Sequence, residues 1–559
     1  MSEQHPPAGT PEYLEYGGGA PLPPGQTPPT EAGSGGGRGR RRAWWIGGGV
    51  VLLAGLGAGA WAALNFFQQG AQPAEALPSS TVGYLSIDLD PAGGQKIDAF
   101  RTLNKFPAFK DEVGVNSVDD IRRKVGDSIL EGTHCTNLTY DHDIDPWLGE
   151  RAAAAVVDVG ADKPDFVIVV QVKDEGKARD AFTALNSCDT EEPAAGFVVH
   201  DGWAVLAQSQ QVADEVSQAT DQGTLADDAT YQKWTKAVGD AGVVNAYASP
   251  AAGRVLAQQL SGLFEGTLIG AGESFTTSST TTMTATGSGS AATGDDPFTK
   301  ALSSFKGGAA TLRFTGDGLE FALAADGSAG QLSEVTGNDG GALVQRLPDD
   351  TAAAAGLTFP KGWMDRQLGQ MSSLFGHGMS QDDATRELSR ETGFDVPADI
   401  ETLLGSGVSI SVGKDIDLEA AENGDSLSGL PIGVTVKGDP AAIERVLDKI
   451  RAKAGNDLGF LGSDSSGDLV AIGPTAAYRQ HLLDGGNLGD DDTFRGVVPD
   501  AGDGSSVFYV NLDSLEPAIT KAAAGDRQTL DNITPLRAMG MSTRNDGGTI
   551  KFSFKVTTN

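Results

Sequence analysis

The densest cluster of chemically capable residues is "DHDIDPWLGER", residues 141 to 151. Asp141, Asp143 and Asp145 alternate around His142, as acids do at positions 1, 3 and 5 of a helix-loop-helix calcium loop. That loop also needs Gly at position 6 and Glu at position 12. Counted from Asp141, those places hold Pro146 and Ala152. The stretch thus lacks both the turn residue and the closing ligand. A second copy of the pattern suggests another role. Aligning Trp147-Leu148-Gly149 with Leu403-Leu404-Gly405 places Asp143-Ile144-Asp145 on Asp399-Ile400-Glu401. This spacing predicts one or two helical turns. Asp143 and Asp399 would be N-caps, and Gly149 and Gly405 would leave the turn in a left-handed conformation. Asp141 and His142 fall opposite Pro397 and Ala398, so they belong to the first copy alone.

Other reactive residues are sparse. The two cysteines, Cys135 and Cys188, are an even count that predicts one disulfide in an oxidising compartment. His134, Cys135 and His142 could instead form a soft metal site, but no metal-ligand spacing supports it. His5, His200, His377 and His481 are scattered and read as surface or capping residues. Asp227-Asp228 and Asp490-Asp491 each precede a predicted helix, where carboxylates favour the helix dipole. There is no HExxH, GxSxG, GxxxxGK[ST] or CxxC. No catalytic residue, cofactor or metal ligand is therefore expected.

The elements that must position these residues fall into segments. Residues 1–42 are rich in Pro and Gly without apolar periodicity, and are expected to be a disordered cytoplasmic tail. Residues 43–67 carry no charge, and as a helix of about 37 Å they would span a bilayer. Arg38, Arg40, Arg41 and Arg42 precede this run and predict a cytoplasmic N-terminus, with the remainder extracytoplasmic. Ala60-Trp61-Ala62 could serve as a signal-peptidase site, but the apolar run continues through Phe67, which favours a retained anchor. Gly55 and Gly59 form a small-xxx-small spacing through which two such helices would pair as a homodimer.

Beyond a linker at 68–76, two halves repeat, at 77–330 and 331–559. "LPSSTVGYLSIDL" at Leu77 is echoed by "LPDDTAAAAGLTF" at Leu347. "FVIVVQVKDEGKARDAFTAL" at Phe166 is echoed by "PIGVTVKGDPAAIERVLDKI" at Pro431. Each half closes with a hairpin on Asp-Gly, from Thr311 and from Met541. Short links between strand pairs demand antiparallel partners. The expected fold is α+β, a tandem duplication of a mixed, largely antiparallel sheet-plus-helices domain, with a cleft between the two copies. The first half carries a Ser/Thr/Gly-rich insertion at 266–297, read as a flexible loop.

The net charge is −34, and Glu3, Glu12, Glu15 and Glu31 balance the four arginines before residue 43, so the whole excess lies beyond it. Such a surface repels phosphate and argues against nucleic acid as a partner. The arginine-flanked apolar run, "LPSSTVGYLSIDLDP", "FRTLNKFPAF" and "DIDPWLGER" together resemble the bacterial membrane proteins catalogued as domain of unknown function 3352, over residues 70 to 559. The resemblance implies a membrane-anchored envelope protein and brings no catalytic residue. The function expected is a non-enzymatic protein that binds an envelope partner or ligand. The alternatives are an extracytoplasmic hydrolase with an unrecognised site and a calcium-dependent adhesion or sensor module.

Overall fold

Alternating apolar and small residues build sixteen strands in the computed structural model. It describes residues 72–559 except 89–93, 108–122, 124–125, 128–129, 131–134, 136, 162, 189–193, 257–301, 328–336, 375–380, 415, 417–428, 455–460 and 523–525. The first eight strands are β1 (Thr81–Asp88), β2 (Leu148–Val157), β3 (Asp165–Val172), β4 (Gly196–His200), β5 (Trp203–Ala207), β6 (Val244–Ala248), β7 (Gly308–Thr315) and β8 (Gly318–Asp326). The others are β9 (Thr351–Thr358), β10 (Gly407–Gly413), β11 (Ile432–Lys437), β12 (Gly462–Ser466), β13 (Leu469–Gly473), β14 (Ser506–Asn511), β15 (Leu536–Asp546) and β16 (Thr549–Thr558).

The helices between them are α1 (Gly94–Leu103), α2 (Glu175–Cys188), α3 (Gln210–Gln222), α4 (Ala229–Val238), α5 (Asp339–Gln345), α6 (Trp363–Leu374) and α7 (Gln381–Thr392). They continue with α8 (Ala398–Leu404), α9 (Pro440–Ala454), α10 (Ala476–Asp484), α11 (Asp492–Val497), α12 (Leu512–Ala522) and α13 (Arg527–Ile533).

All strands join one sheet in the order β12-β13-β11-β10-β9-β14-β15-β16-β8-β7-β6-β1-β2-β3-β5-β4. From either edge inward, the strands of each half follow the same succession: fourth, fifth, third, second, first, sixth, seventh, eighth. The halves meet where β8 and β16 pair antiparallel, from Thr549↔Asp326 to Thr557↔Gly318. A continuous ladder thus stands where two packed domains with a cleft were expected. The described pairings are antiparallel throughout, so the sheet is not mixed.

One face of the sheet is packed by helices along much of its length. Under α3 and α4, Tyr84, Ala153, Val167, Val169 and Val205 form a core with Trp234. Under α5, α10 and α11, Ala354, Val507, Tyr509 and Ala538 form another with Phe494. Equivalent aromatic pairs brace both cores. Tyr231 and Tyr247 meet edge to face at 5.1 Å and 81°, and Phe494 and Tyr509 do so at 5.0 Å and 76°. The opposite face is packed beside α1 at β7, where Phe314 is fully buried, and towards its two ends. There α2 covers Val172, Val199 and Ala204, and α9 covers Val436, Val470 and Ile472.

Local rules explain the turns. Asp201 and Gly202 (φ 50° and 78°) link β4 to β5, and Gly547 and Gly548 (φ 59° and 88°) link β15 to β16, as two-residue hairpins require. The β7–β8 hairpin instead turns at Gly316-Asp317, because Gly318 already pairs with Thr315. The expected linker at 68–76 is also shorter than read. Pro73–Ala76 form a buried 3-10 turn, and Ala74, Ala76 and Leu77 join the core of the first half. Among the described residues no helix is long and apolar enough to cross a membrane. The tail at 1–42, the span at 43–67 with Gly55 and Gly59, the insertion at 266–297, and His5, His134 and His377 lie outside the described residues.

Candidate functional site

The acidic stretch forms a single π-type turn, Tyr140–Ile144, entered from extended Thr139 (φ −132°, ψ 150°). Asp143 is therefore inside the turn rather than at its N-cap. Its carboxylate reaches back to accept from the Thr139 amide at 2.7 Å. Asp399 repeats this correction: Pro397 precedes α8, and Asp399 lies one residue inside it. Its carboxylate accepts from the Asp395 amide, again four residues back, at 2.7 Å. Both segments thus use the acid to close the start of the turn from within. Asp399 also receives Lys449 Nζ at 2.7 and 2.8 Å. Burial opposes its ionisation, but the lysine and the amide outweigh this and hold the carboxyl below its ordinary value.

The two glycines part ways. Gly405 caps α8 with φ 57°, as the spacing predicts. Gly149 is instead the second residue of β2 and is not left-handed. Its constraint is a close approach, since a Cβ there would meet Gln171 O at 2.6 Å. It sits where the β2–β3 register shifts between Leu148 and Ala152. Arg151, from the same motif, forms a buried ion pair with its cross-strand partner Asp88 at 3.2 Å.

The three alternating carboxylates do not converge. Asp141 binds Arg123 through two bonds of 2.6 and 2.9 Å, and the guanidinium holds its carboxyl below the usual range. Asp143 takes the Thr139 amide, and Asp145 accepts from Tyr140 Oη at 3.1 Å. His142 is exposed. Among the described residues no three His, Cys, Asp or Glu side chains are placed to hold a metal ion. Cys135 and Cys188 are bonded (S–S 2.12 Å, Cα–Cα 5.4 Å), tying the segment before the turn to the end of α2. His200 and His481 pair with Asp201 and Asp350 at 3.2 and 3.0 Å.

The acidic pairs act as caps. Asp228 accepts from the Thr230 and Tyr231 amides at the start of α4, and Asp491 from the Phe494 amide at the start of α11. The phenols of the first core are packing groups. Burial pushes Tyr231 up to about 12 and also raises Tyr84 and Tyr247, so none is ionised at neutral pH.

The feature that sequence reasoning missed lies on the sheet itself. Cross-strand partners form an unbroken row: Ile410, Ala355, Phe508, Met541, Phe554, Phe321 and Leu312. A flanking row on the same face holds Val408, Leu357, Ser506, Thr543, Phe552 and Leu323. Phe321 and Phe552 meet edge to face at 6.0 Å. Ile410, Leu357 and Phe508 are 51%, 46% and 37% exposed, and the central residues Met541, Phe552, Phe554, Phe321, Leu323 and Leu312 are half-buried. The row crosses seven strands, about 29 Å at ~4.8 Å per strand. A sequence signal existed in "TIKFSFKV", where Ile550, Phe552, Phe554 and Val556 alternate with Lys551, Ser553 and Lys555. Alternation marks an apolar face, but not which face the helices cover.

Residues 46–191 match the family model described as protein of unknown function (DUF3352). The resemblance expected over residues 70–559 is thus found over a shorter, N-terminal stretch, which includes the Tyr140–Ile144 turn, both cysteines and strands β1 to β3. No curated protein and no solved structure matches the chain.

Proposed function

We propose that this chain, whose residues 46–191 carry the DUF3352 match, is a single-pass, membrane-anchored extracytoplasmic protein that acts by binding rather than by catalysis. The central strands of the open sheet face are its binding surface. The observation that carries this reading is the partly exposed row from Ile410 to Leu312. The largest contiguous apolar patch on a soluble monomer is often functional, and larger ones mark interaction sites. The uncharged run at 43–67 behind four arginines supports the anchor and its orientation.

The two halves are read as copies of one ancestral unit. The shared strand succession, the matched aromatic pairs and the repeated four-residue capture by Asp143 and Asp399 support this.

Two measurements test the proposal. A reporter fused after Asn559 should be active only outside the cytoplasm, and cytoplasmic activity would overturn the orientation. Carbene footprinting should modify β14, β15 and β16 less in native envelopes than in the detergent-purified full chain. Equal modification would remove the binding role of this face.

A further inference from the structure

We infer that the central trough of the sheet binds a long acyl chain of a neutral or zwitterionic lipid; this rests on the binding role proposed above. The chemistry of the floor points to hydrocarbon. Phe508, Met541, Phe554, Phe321 and Leu312 follow one another across five strands, and none offers a polar group to orient a polar ligand. Methionine and aromatic side chains adapt to a flexible apolar occupant. The row is about 19 Å long at ~4.8 Å per strand. One leaflet of a ~30 Å hydrocarbon core, and so one acyl chain, measures about 15 Å.

The walls decide between occupants. On this face α2 packs over β3, β4 and β5, α9 over β10, β11 and β13, and α1 lies against β7, where Phe314 is fully buried. Each is a helix about 10 Å thick, and α9 and α1 stand nearest the two ends of the row. A planar bilayer would rest on these walls and miss the floor. A second copy would bring identical walls and a further charge of −34, so both shape and charge oppose face-to-face pairing. A single chain lying along the row meets neither obstacle. The same acidity disfavours anionic headgroups and leaves neutral or zwitterionic lipid as the source. The uncharged run ends at Phe67, and only residues 68–72 separate it from the buried turn at Pro73. Five residues reach at most ~18 Å, which keeps the sheet beside the membrane.

The test places p-benzoylphenylalanine at Phe508 in the full chain, in native envelopes, followed by irradiation and intact-mass measurement. Gln211, exposed on α3, is the control position. The expected result is an adduct of lipid mass at 508 and none at 211. Phe554→Gln should then lower the 508 adduct about ten-fold, equivalent to ~1.4 kcal/mol. Protein adducts alone at 508 would overturn the lipid inference and leave the binding role standing. No adduct at 508 in protein with an unchanged melting temperature would overturn both. Equal lipid adducts at 508 and 211 would mean non-specific contact and would also overturn the inference. If a probe at 508 prevents folding, the more exposed Ile410 serves as the probe position, with the same outcomes.

Discussion

Asp399 shows how a single carboxylate can resemble a site and serve as a fastener. Its side chain is 11% exposed and is held by Lys449 and the Asp395 amide. Because its folded pKa is depressed, it stabilises the protein above the unfolded value of about 3.9. That contribution is lost as pH falls through the lower, folded value. Asp399→Asn should cost about 1.5 kcal/mol at neutral pH, the scale of a hydrogen bond to a charged group. The variant should also lose less melting temperature than the parent between pH 6 and pH 3, and an equal loss would show that Asp399 is not a source of acid sensitivity. The repeated Asp-Ile-acid pattern revealed that these acids begin turns. It did not reveal that they close them from within, because Asp143 lies four positions past the cap at Thr139 and Asp399 two past the cap at Pro397, offsets that the residue pattern does not record.

At the level of elements, the disulfide has no counterpart in the second half, where no cysteine occurs. It joins residues 53 apart, and the loop-entropy argument gives it about 4 kcal/mol. Cys188→Ser should lower unfolding stability by roughly that amount while leaving far-UV circular dichroism intact, since the cysteine-free half forms the same strand succession. A loss of under about 1 kcal/mol would indicate that the denatured chain is already restrained there. Strands and helices were largely legible because their periods differ, as at Ala178, Ala181 and Phe182 on the buried side of α2. Gly149 was not, because its need for space comes from Gln171 on a strand reached only after the chain has reversed.

For the whole molecule, the decisive event is the pairing of β8 with β16, which turns two eight-stranded halves into one sheet. Residues 77–330 alone would expose the full edge of β8, and exposed edges recruit other strands. Expressed alone, that half should self-associate; co-expressed with 331–559, it should give a monodisperse one-to-one complex by light scattering. A monomeric isolated half would show that the β8 edge is protected in another way. The internal echoes led to an expectation of two repeated halves with a cleft between them; the strands of the two halves share one succession and form one continuous sheet. Sequence similarity records what each half is, whereas edge-to-edge joining depends on which strands are left unpaired after folding.

The proposed function depends on the partly exposed face at the centre of the sheet, where Phe508 is 37% exposed. Both native cysteines are tied in the disulfide, so Phe508→Cys introduces a single reactive thiol on that face. Its rate of maleimide labelling in intact envelopes, compared with the detergent-purified full chain, measures occupancy directly. Labelling at Phe508→Cys should be about ten-fold slower in envelopes, equivalent to ~1.4 kcal/mol of protection, with Gln211→Cys unchanged between the two. Equal rates at Phe508→Cys in both preparations would contradict the binding role of this face.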